Sequence, residues 1–337
     1  MTAVPAPNFD HIAAMTDERG TFEHADHADP RPEHGYCTDD MARVLVVATR
    51  EPDPDGQVRV LARTAYRFLV DAQGVDGTIR NRMAENKRWQ GRRGVEDCWG
   101  RSLWAFGTAA ARSRADWLRQ SALTMFDHGA EQRSPWPRSM AFAALGAAEV
   151  LGVDRSHRTA INLLDDAATV IGRAGADPEW PWPERRLTYA NAVLPDAMLA
   201  IGTARHRDDL VDEGLRLLAW LIERQTNAGH FSFVPVGGAD RADVAPRFDQ
   251  QPIEAATIAD ACVRAGAITG DPIWAEHLER SVGWFLGDND AGSAMIDAVT
   301  GGGYDGLGPL GPNLNEGCES SLALLSTLQH ARQLLAA

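Results

Sequence analysis

No two of the four cysteines, Cys37, Cys98, Cys262 and Cys318, lie close enough in sequence to form a CxxC pair. That argues against a zinc ribbon or a dithiol redox motif and fits reduced thiols in a cytoplasmic protein. Basic residues are outnumbered, with 33 Lys and Arg against 47 Asp and Glu, for a net charge of −14. A protein that displaces counterions from phosphates needs a basic face, so nucleic acid and anionic membrane are poor partners. No apolar run approaches bilayer-spanning length, and Met1–Asp10 has neither the basic start nor the apolar stretch of a secretory leader. No Ser/Gly linker or low-complexity tract divides the 337 residues. The chain therefore reads as one domain, 1–337, although its length alone would suggest about two. Phosphate and dinucleotide fingerprints are also missing: GGGYDGLG follows no buried strand and opens no helix, so no cofactor is expected. Nothing in the sequence sets an oligomeric state.

Helical periodicity fills most of the chain. Leu322, Leu325, Leu328 and Leu335 follow the 3–4–7 spacing in the last segment, and Leu215, Leu218, Ala219 and Ile222 do so in Asp208–Gln225. The same reasoning predicts helices over Met41–Arg50, Val58–Gln73, Cys98–Ala111, Ala115–Glu131, Arg138–Leu151, His157–Ala174, Ala192–Ala204, Ile253–Ala267 and Pro272–Leu286. With a segment around Phe9–Met15 these make six pairs. Only Thr78–Arg80 and His230–Val234, each just after a glycine turn, read as short strands. Trp180–Pro195 and Gly287–Asn315, rich in Trp, Pro and Gly, read as ordered loops.

The loops repeat more clearly than the helices. After every second helix a long loop leads into an Ala-rich opening: CTDDMARVL, EDCWGRSLWAF, PWPRSMAFAAL, YANAVLPDAML, QQPIEAATIAD and NEGCESSLALL. So long a period marks stacked helical hairpins, none of which buries its apolar face alone. Ala42, Ala105, Ala143, Ala255, Ala256 and Ala323 suit a crowded inner ring. The expected fold is all-α, an (α/α)6 toroid of six hairpins with short β-hairpin loops at its mouth; an open solenoid is the rival. Parallel inner helices would gather their N-termini on one face.

Those N-termini carry Asp39 and Asp40, Glu96 and Asp97, Glu254, and Glu316 and Glu319. Each has an ordinary explanation as a cap or as compensation for the helix dipole. Capping needs one side chain per helix, however, and three openings carry two carboxylates each. Converging like charges split their pKa values, giving one protonated and one ionised carboxyl for acid–base work. Aromatics lie nearby in loops: Trp89, Trp136, Trp180 and Trp182, with Tyr36, Tyr189 and Tyr304 beside them. Flat rings among polar groups such as Arg43, Asn191, Gln251 and Asp305 suit the apolar faces and hydroxyl rims of sugars. Sealing of hairpin ends is the alternative use of these Trp residues. His24, His27 and His34 match no metal-ligand spacing, so no metal is expected.

The segments HGYCTDDMAR, YDGLG and NLNEGCESSLALL resemble parts of helical-toroid proteins described as glycosyltransferase-associated. From Thr21 to Gln333 the chain is similar to the six-hairpin glycosidase superfamily. That resemblance implies carbohydrate substrates, usually inversion at the anomeric carbon, and no cofactor. Several members pair an early Asp–Asp opening with a Glu near the last inner helix, here Asp39–Asp40 and Glu316. The Rossmann repeat of nucleotide-sugar transferases is missing. The expectation is a glycoside hydrolase, exo-acting on a short oligosaccharide, with mannose or glucose favoured only through the resemblance. Glu316 would be the acid and Asp40 the base, or the reverse since sequence does not orient them, assisted by Asp39 and about 6.5–9.5 Å apart if the enzyme inverts. Asp97 and Glu254 would bind sugar hydroxyls or tune those pKa values. Phosphorolysis stays open through Arg43, Arg80, Arg82 and Arg101. Two alternatives stand beside it: a sugar epimerase or isomerase using His34 and His230, and a non-catalytic carbohydrate-binding toroid.

Overall fold

A computed structural model describes residues 4–336. Its α-helices are α1 (Asp10–Ala14), α2 (Thr38–Arg50), α3 (Gly56–Ala72), α4 (Asp97–Arg112), α5 (Asp116–Gly129), α6 (Pro137–Val153), α7 (Arg158–Val170), α8 (Val193–Arg205), α9 (Asp208–Arg224), α10 (Pro252–Thr269), α11 (Ile273–Phe285) and α12 (Cys318–Ala336). The even-numbered helices pack in the order α2, α4, α6, α8, α10, α12, and α12 closes back on α2. Each odd-numbered helix from α3 to α11 covers its partner from outside, while α1 packs on α12, so the first and last helices make the sixth hairpin. This is the (α/α)6 toroid. The closing contact between α12 and α2 removes the open solenoid.

Inner and outer helices differ in sequence because they differ in surroundings. In α9, Leu210, Leu217, Leu218, Leu221 and Ile222 form one buried stripe, as in a helix with a wet outer face. In α6, by contrast, every residue from Arg138 to Ala147 is buried, leaving no face for water. The predicted small residues Ala42, Ala105, Ala143, Ala255, Ala256 and Ala323 are all buried. Backbones approach most closely between α4 and α6. A Cβ on Gly107 would lie 2.2 Å from the Gly146 carbonyl oxygen, and one on Gly146 would lie 2.2 Å from that of Leu103.

Ion pairs, several of them buried, tie the inner helices together below the mouth. Arg50 donates to Asp260 at 2.8 Å, and His330 pairs with the same carboxylate at 2.5 Å. Arg264 donates to Asp196 at 2.6 Å, and Arg112 holds Glu149 through two bonds of 2.8 Å. Helices α2, α4, α6, α10 and α12 contribute their middle or last turns to these pairs, and α8 contributes its first.

Small hairpins decorate the loops: Ala25–Asp26 with Asp29–Pro30, Thr226–Asn227 with His230–Phe231, Gly306–Gly308 with Gly311–Asn313, and a three-stranded piece of Tyr36–Cys37, Arg82–Met83 and Trp89–Gln90. The strand predicted over Thr78–Arg80 is only Ile79 bridging Gln73 and Gly94, and the one predicted over His230–Val234 stops at Phe231. The helix predicted over His157–Ala174 ends at Val170, just before Gly172 at φ 89°. Helix α2 starts three residues before the predicted Met41, taking Asp39 and Asp40 into its first turn. Met1–Ala3, part of the segment read for a leader, and the side chain of Leu335 lie outside the described residues. No described helix is long and apolar enough to cross a membrane.

Gly146→Ala is expected to lower the unfolding free energy by about 1–3 kcal/mol, because the methyl group meets rigid backbone. Gly152→Ala, at the exposed end of the same helix with nothing within 4 Å of the new methyl, is expected to be neutral or stabilising by up to about 1 kcal/mol. Denaturant unfolding of the two variants checks the contrast.

Candidate active site

The N-terminal ends of the inner helices surround two adjoining cavities, of about 530 Å³ and about 410 Å³. Asp39, Arg101 and Glu319 line both. The larger cavity is otherwise walled by Glu96, Asp97, Trp136, Pro137, Arg138, Glu184 and Tyr189. The smaller includes Asp40, Arg43, His24, Arg82, Gln251 and Asp305.

Arginines one helical turn along from the acids organise this floor. Arg43 donates to Asp40 at 2.6 Å, three residues back on α2, and also to Glu319 on the first turn of α12. Arg101 donates to Asp39 at 2.8 Å and lies 3.5 Å from Asp97, four residues back on α4. Two neighbouring carboxyls are thereby driven apart. Burial pushes the Asp40 carboxyl up to about 7, with Arg43 opposing and Glu319 and Asp39 adding to the rise. Burial acts upward on Asp39 as well, but Arg101 and Arg43 outweigh it and hold this group below the usual carboxylate range.

Glu254, on the first turn of α10, is buried under the rim. It accepts from the Asn191 side chain at 3.0 Å and from the Asn191 backbone N–H at 3.3 Å, while its Oε1 has no partner. Burial raises this carboxyl to about 7. Asn191 also accepts from Arg138, which donates to Glu184 at 2.6 Å. Both residues support the wall: neither Glu254 nor Asn191 lines a cavity.

The predicted residues divide cleanly. Asp39, Asp40, Arg43, Glu96, Asp97, Glu319, Trp136, Tyr189, Gln251 and Asp305 line the cavities. Tyr189 donates to Asp97 at 2.8 Å, and Asp305 accepts the backbone N–H of Gly317 at 2.8 Å. Glu316 lines neither cavity. Its carboxylate is buried, accepts from Thr300 Oγ1 and lies 3.4 Å from His11 Nδ1. A Cβ on Gly302 would meet that carboxylate at 2.1 Å, so glycine is what lets the loop close over it. Glu316 therefore docks α1 and the Asp297–Gly303 loop, and Glu319, one turn on, takes the place at the mouth.

The aromatic expectations separate in the same way. Tyr36 is buried between Phe22 and Phe68 and donates to Asp17 at 2.8 Å. Trp89 packs on Phe68 with centroids 5.0 Å apart, and Trp182 stacks on Trp220 of α9 at 6.0 Å. Tyr304 donates to Asp297 at 3.0 Å, away from the cavities. These four seal hairpin ends. His34 stands edge-on to His24 at 4.9 Å, whereas His230 is held by Asp290 at 3.0 Å, so no bond joins the expected pair. Of the ten histidines only His24 lines either cavity.

Sequence reasoning missed Arg138, Glu184 and Asp249 as lining groups, while His24, in a loop read as substrate-lining or structural, does line the smaller cavity. Arg138 follows Trp136–Pro137 at a helix opening, which was a usable signal, whereas Asp249 lies in an irregular loop and gave none. Donor atoms of Glu23, Cys37 and Asp40 lie within 4.8 Å of one another. Arg82 and Arg43 already pair with the two acids, and burial first, then Asp40 and Asp39, pushes the thiol well above its ordinary range. With both acids neutralised by guanidinium groups and the thiol held protonated, the set is poorly suited to a cation.

Glu254 also yields a stability prediction. Its folded pKa lies above its unfolded one, so its stabilising contribution is present below about pH 4 and lost as pH rises through about 7. Glu254→Gln, which mimics the neutral acid, is therefore expected to melt a few degrees above wild type at pH 8 and to lose that gain at pH 5. Paired thermal melts at the two pH values check this.

No family profile and no curated protein matches the chain in sequence. Solved structures do match. A sugar epimerase from a ruminal bacterium superposes with a TM-score of 0.74 at 11% identity, over 95% of this chain and 95% of that one. A D-mannose isomerase gives 0.70 at 10% identity, over 97% and 95%. An α-1,6-mannanase from Salegentibacter gives 0.63 at 10%, over 96% and 95%. These likenesses, together with the closed ring of helices, establish the six-hairpin, glycosidase-like (α/α)6 toroid fold.

Proposed function

We propose that the protein is a carbohydrate-active enzyme that transfers protons on a reducing sugar, epimerising or isomerising it, with Asp40 as the proton-carrying group. The observation that carries this reading is a buried carboxyl in a cavity wall, raised to about 7, beside an ionised neighbour, Asp39. A group titrating near neutrality both gives and accepts a proton at little cost, and Asp39 supplies the complementary base. The sugar epimerase and the mannose isomerase superpose better, at 0.74 and 0.70, than the mannanase at 0.63, which supports this class over hydrolysis. Neither His34 nor His230 lines a cavity, so in this reading acid–base work falls to the carboxylates.

Inverting glycoside hydrolysis is the second reading, and the crowding of carboxylates at the rim favours it. Asp40 would then be the acid, with Asp97 or Glu319 directing water in place of Glu316. Phosphorolysis loses support because Arg43, Arg82 and Arg101 are already paired with carboxylates and Arg80 lines neither cavity.

Incubation with mannose, glucose and cellobiose in heavy water, followed by NMR, tests the proposal. Deuterium entering at C2 together with an altered sugar is the expected result. New reducing ends from oligosaccharides without C2 exchange would replace it with hydrolysis, and saturable binding without either would leave a non-catalytic toroid. Asp40→Asn is expected to lower kcat by about 100-fold or more. The acid must be protonated, so wild-type kcat should fall as pH rises above about 7.

A further inference from the structure

Five carboxylates but only two guanidinium groups line the larger cavity. Both guanidiniums are spoken for: Arg101 bonds Asp39 and lies against Asp97, and Arg138 bonds Glu184. In the smaller cavity Arg43 and Arg82 are likewise tied to Asp40, Glu319 and Glu23. Negative charge is therefore left over in both cavities, while positive charge is internally neutralised.

Two further features point to a ligand here. Arg101, only 6% exposed in its side chain, lines both cavities, and its Nε has no hydrogen-bond partner. Trp136 and Tyr189 stand 58% and 43% exposed on the same wall as Asp97. Aromatic faces beside carboxylates are the surroundings in which an ammonium group is held best. An anionic sugar would meet a surplus of carboxylates, Glu96 without any arginine among them, and no free guanidinium to offset them.

We infer that this cleft selects a sugar bearing a free amine, tolerates its neutral counterpart, and rejects phosphorylated and uronic sugars. The inference rests on reading the cleft as the sugar site and adds the charge class of the substrate. The amine would lie against Trp136 facing Glu96, with Asp97 behind it, because Arg138 already stands over the Tyr189 ring at 5.0 Å.

Titration calorimetry with glucosamine, glucose and glucose 6-phosphate at about pH 6, where the amine is charged, tests it. The expected Kd for glucosamine is about tenfold or more below that for glucose at low salt, and the gap should narrow at about 0.5 M salt. Glucose 6-phosphate should show no saturable binding. A combined Glu96→Gln and Asp97→Asn variant should lose the preference for the amine. Equal Kd values for glucosamine and glucose, or tighter binding of the phosphate, would overturn the inference. The same sugars followed for exchange at C2 keep the two proposals apart. Amine preference without exchange upholds this one and removes the proposed catalysis. Exchange on glucose without amine preference does the reverse.

Discussion

Everything at the mouth depends on the seam where the last helix meets the first inner one. Arg43 of α2 reaches Glu319 of α12 at one end of this seam. Further along, Gln329 donates to the Val47 carbonyl oxygen at 2.9 Å, Arg50 reaches Ser326 at 3.1 Å, and Arg332 pairs with Glu51. The partners lie at opposite ends of the sequence, so closing the ring is the least local step in forming the structure. Buried ion pairs are seldom a net gain over apolar packing, but removing one partner leaves an uncompensated charge, so they specify how helices meet. Here they fix the angular position of α12, and with it which of its first-turn side chains faces the cavity.

That same constraint explains how much could be read from the sequence. The hairpin count, the ring and the gathering of helix openings on one face follow from periodicity and from the repeated Ala-rich starts, because a hairpin with an unburied face must find a neighbour. Asp39, Asp40, Asp97 and Glu319 were legible as mouth residues for that reason. Glu316 was not distinguishable from Glu319. Both sit in NEGCES, and only the packing of α1 beneath the Asp297–Gly303 loop decides that the first is consumed in docking. Aromatic residues misled in the same direction: Tyr36, Trp89 and Trp182 occur in loops, yet an outer layer of helices offers them Phe68 and Trp220 to pack against.

The histidines show the limit from the other side. Residue type and loop position made His34 and His230 plausible partners, but pairing across a ring depends on which hairpins face each other. His230 is spent on Asp290 in a network with Asn227 and Gln250. His34 shares its surroundings with His24, whose imidazole is held below its ordinary range by burial and by His34 itself. No sequence pattern carries that information.

Asp39 and Asp40 are adjacent in the chain, identical in chemistry and both shielded, yet they sit on opposite sides of their ordinary pKa. The difference comes from what faces each of them. Arg101 and Arg43 together more than cancel the burial of Asp39, whereas Asp40 must share Arg43 with Glu319 and feels Arg101 only weakly. One arginine divided between two carboxylates cannot hold both ionised in a site of low polarity, so a proton stays on the more buried of the two. A helix turn bearing two acids and a basic residue three positions on is therefore enough to build an acid and a base side by side. The requirement is that the ring supply a third carboxylate to compete for the cation.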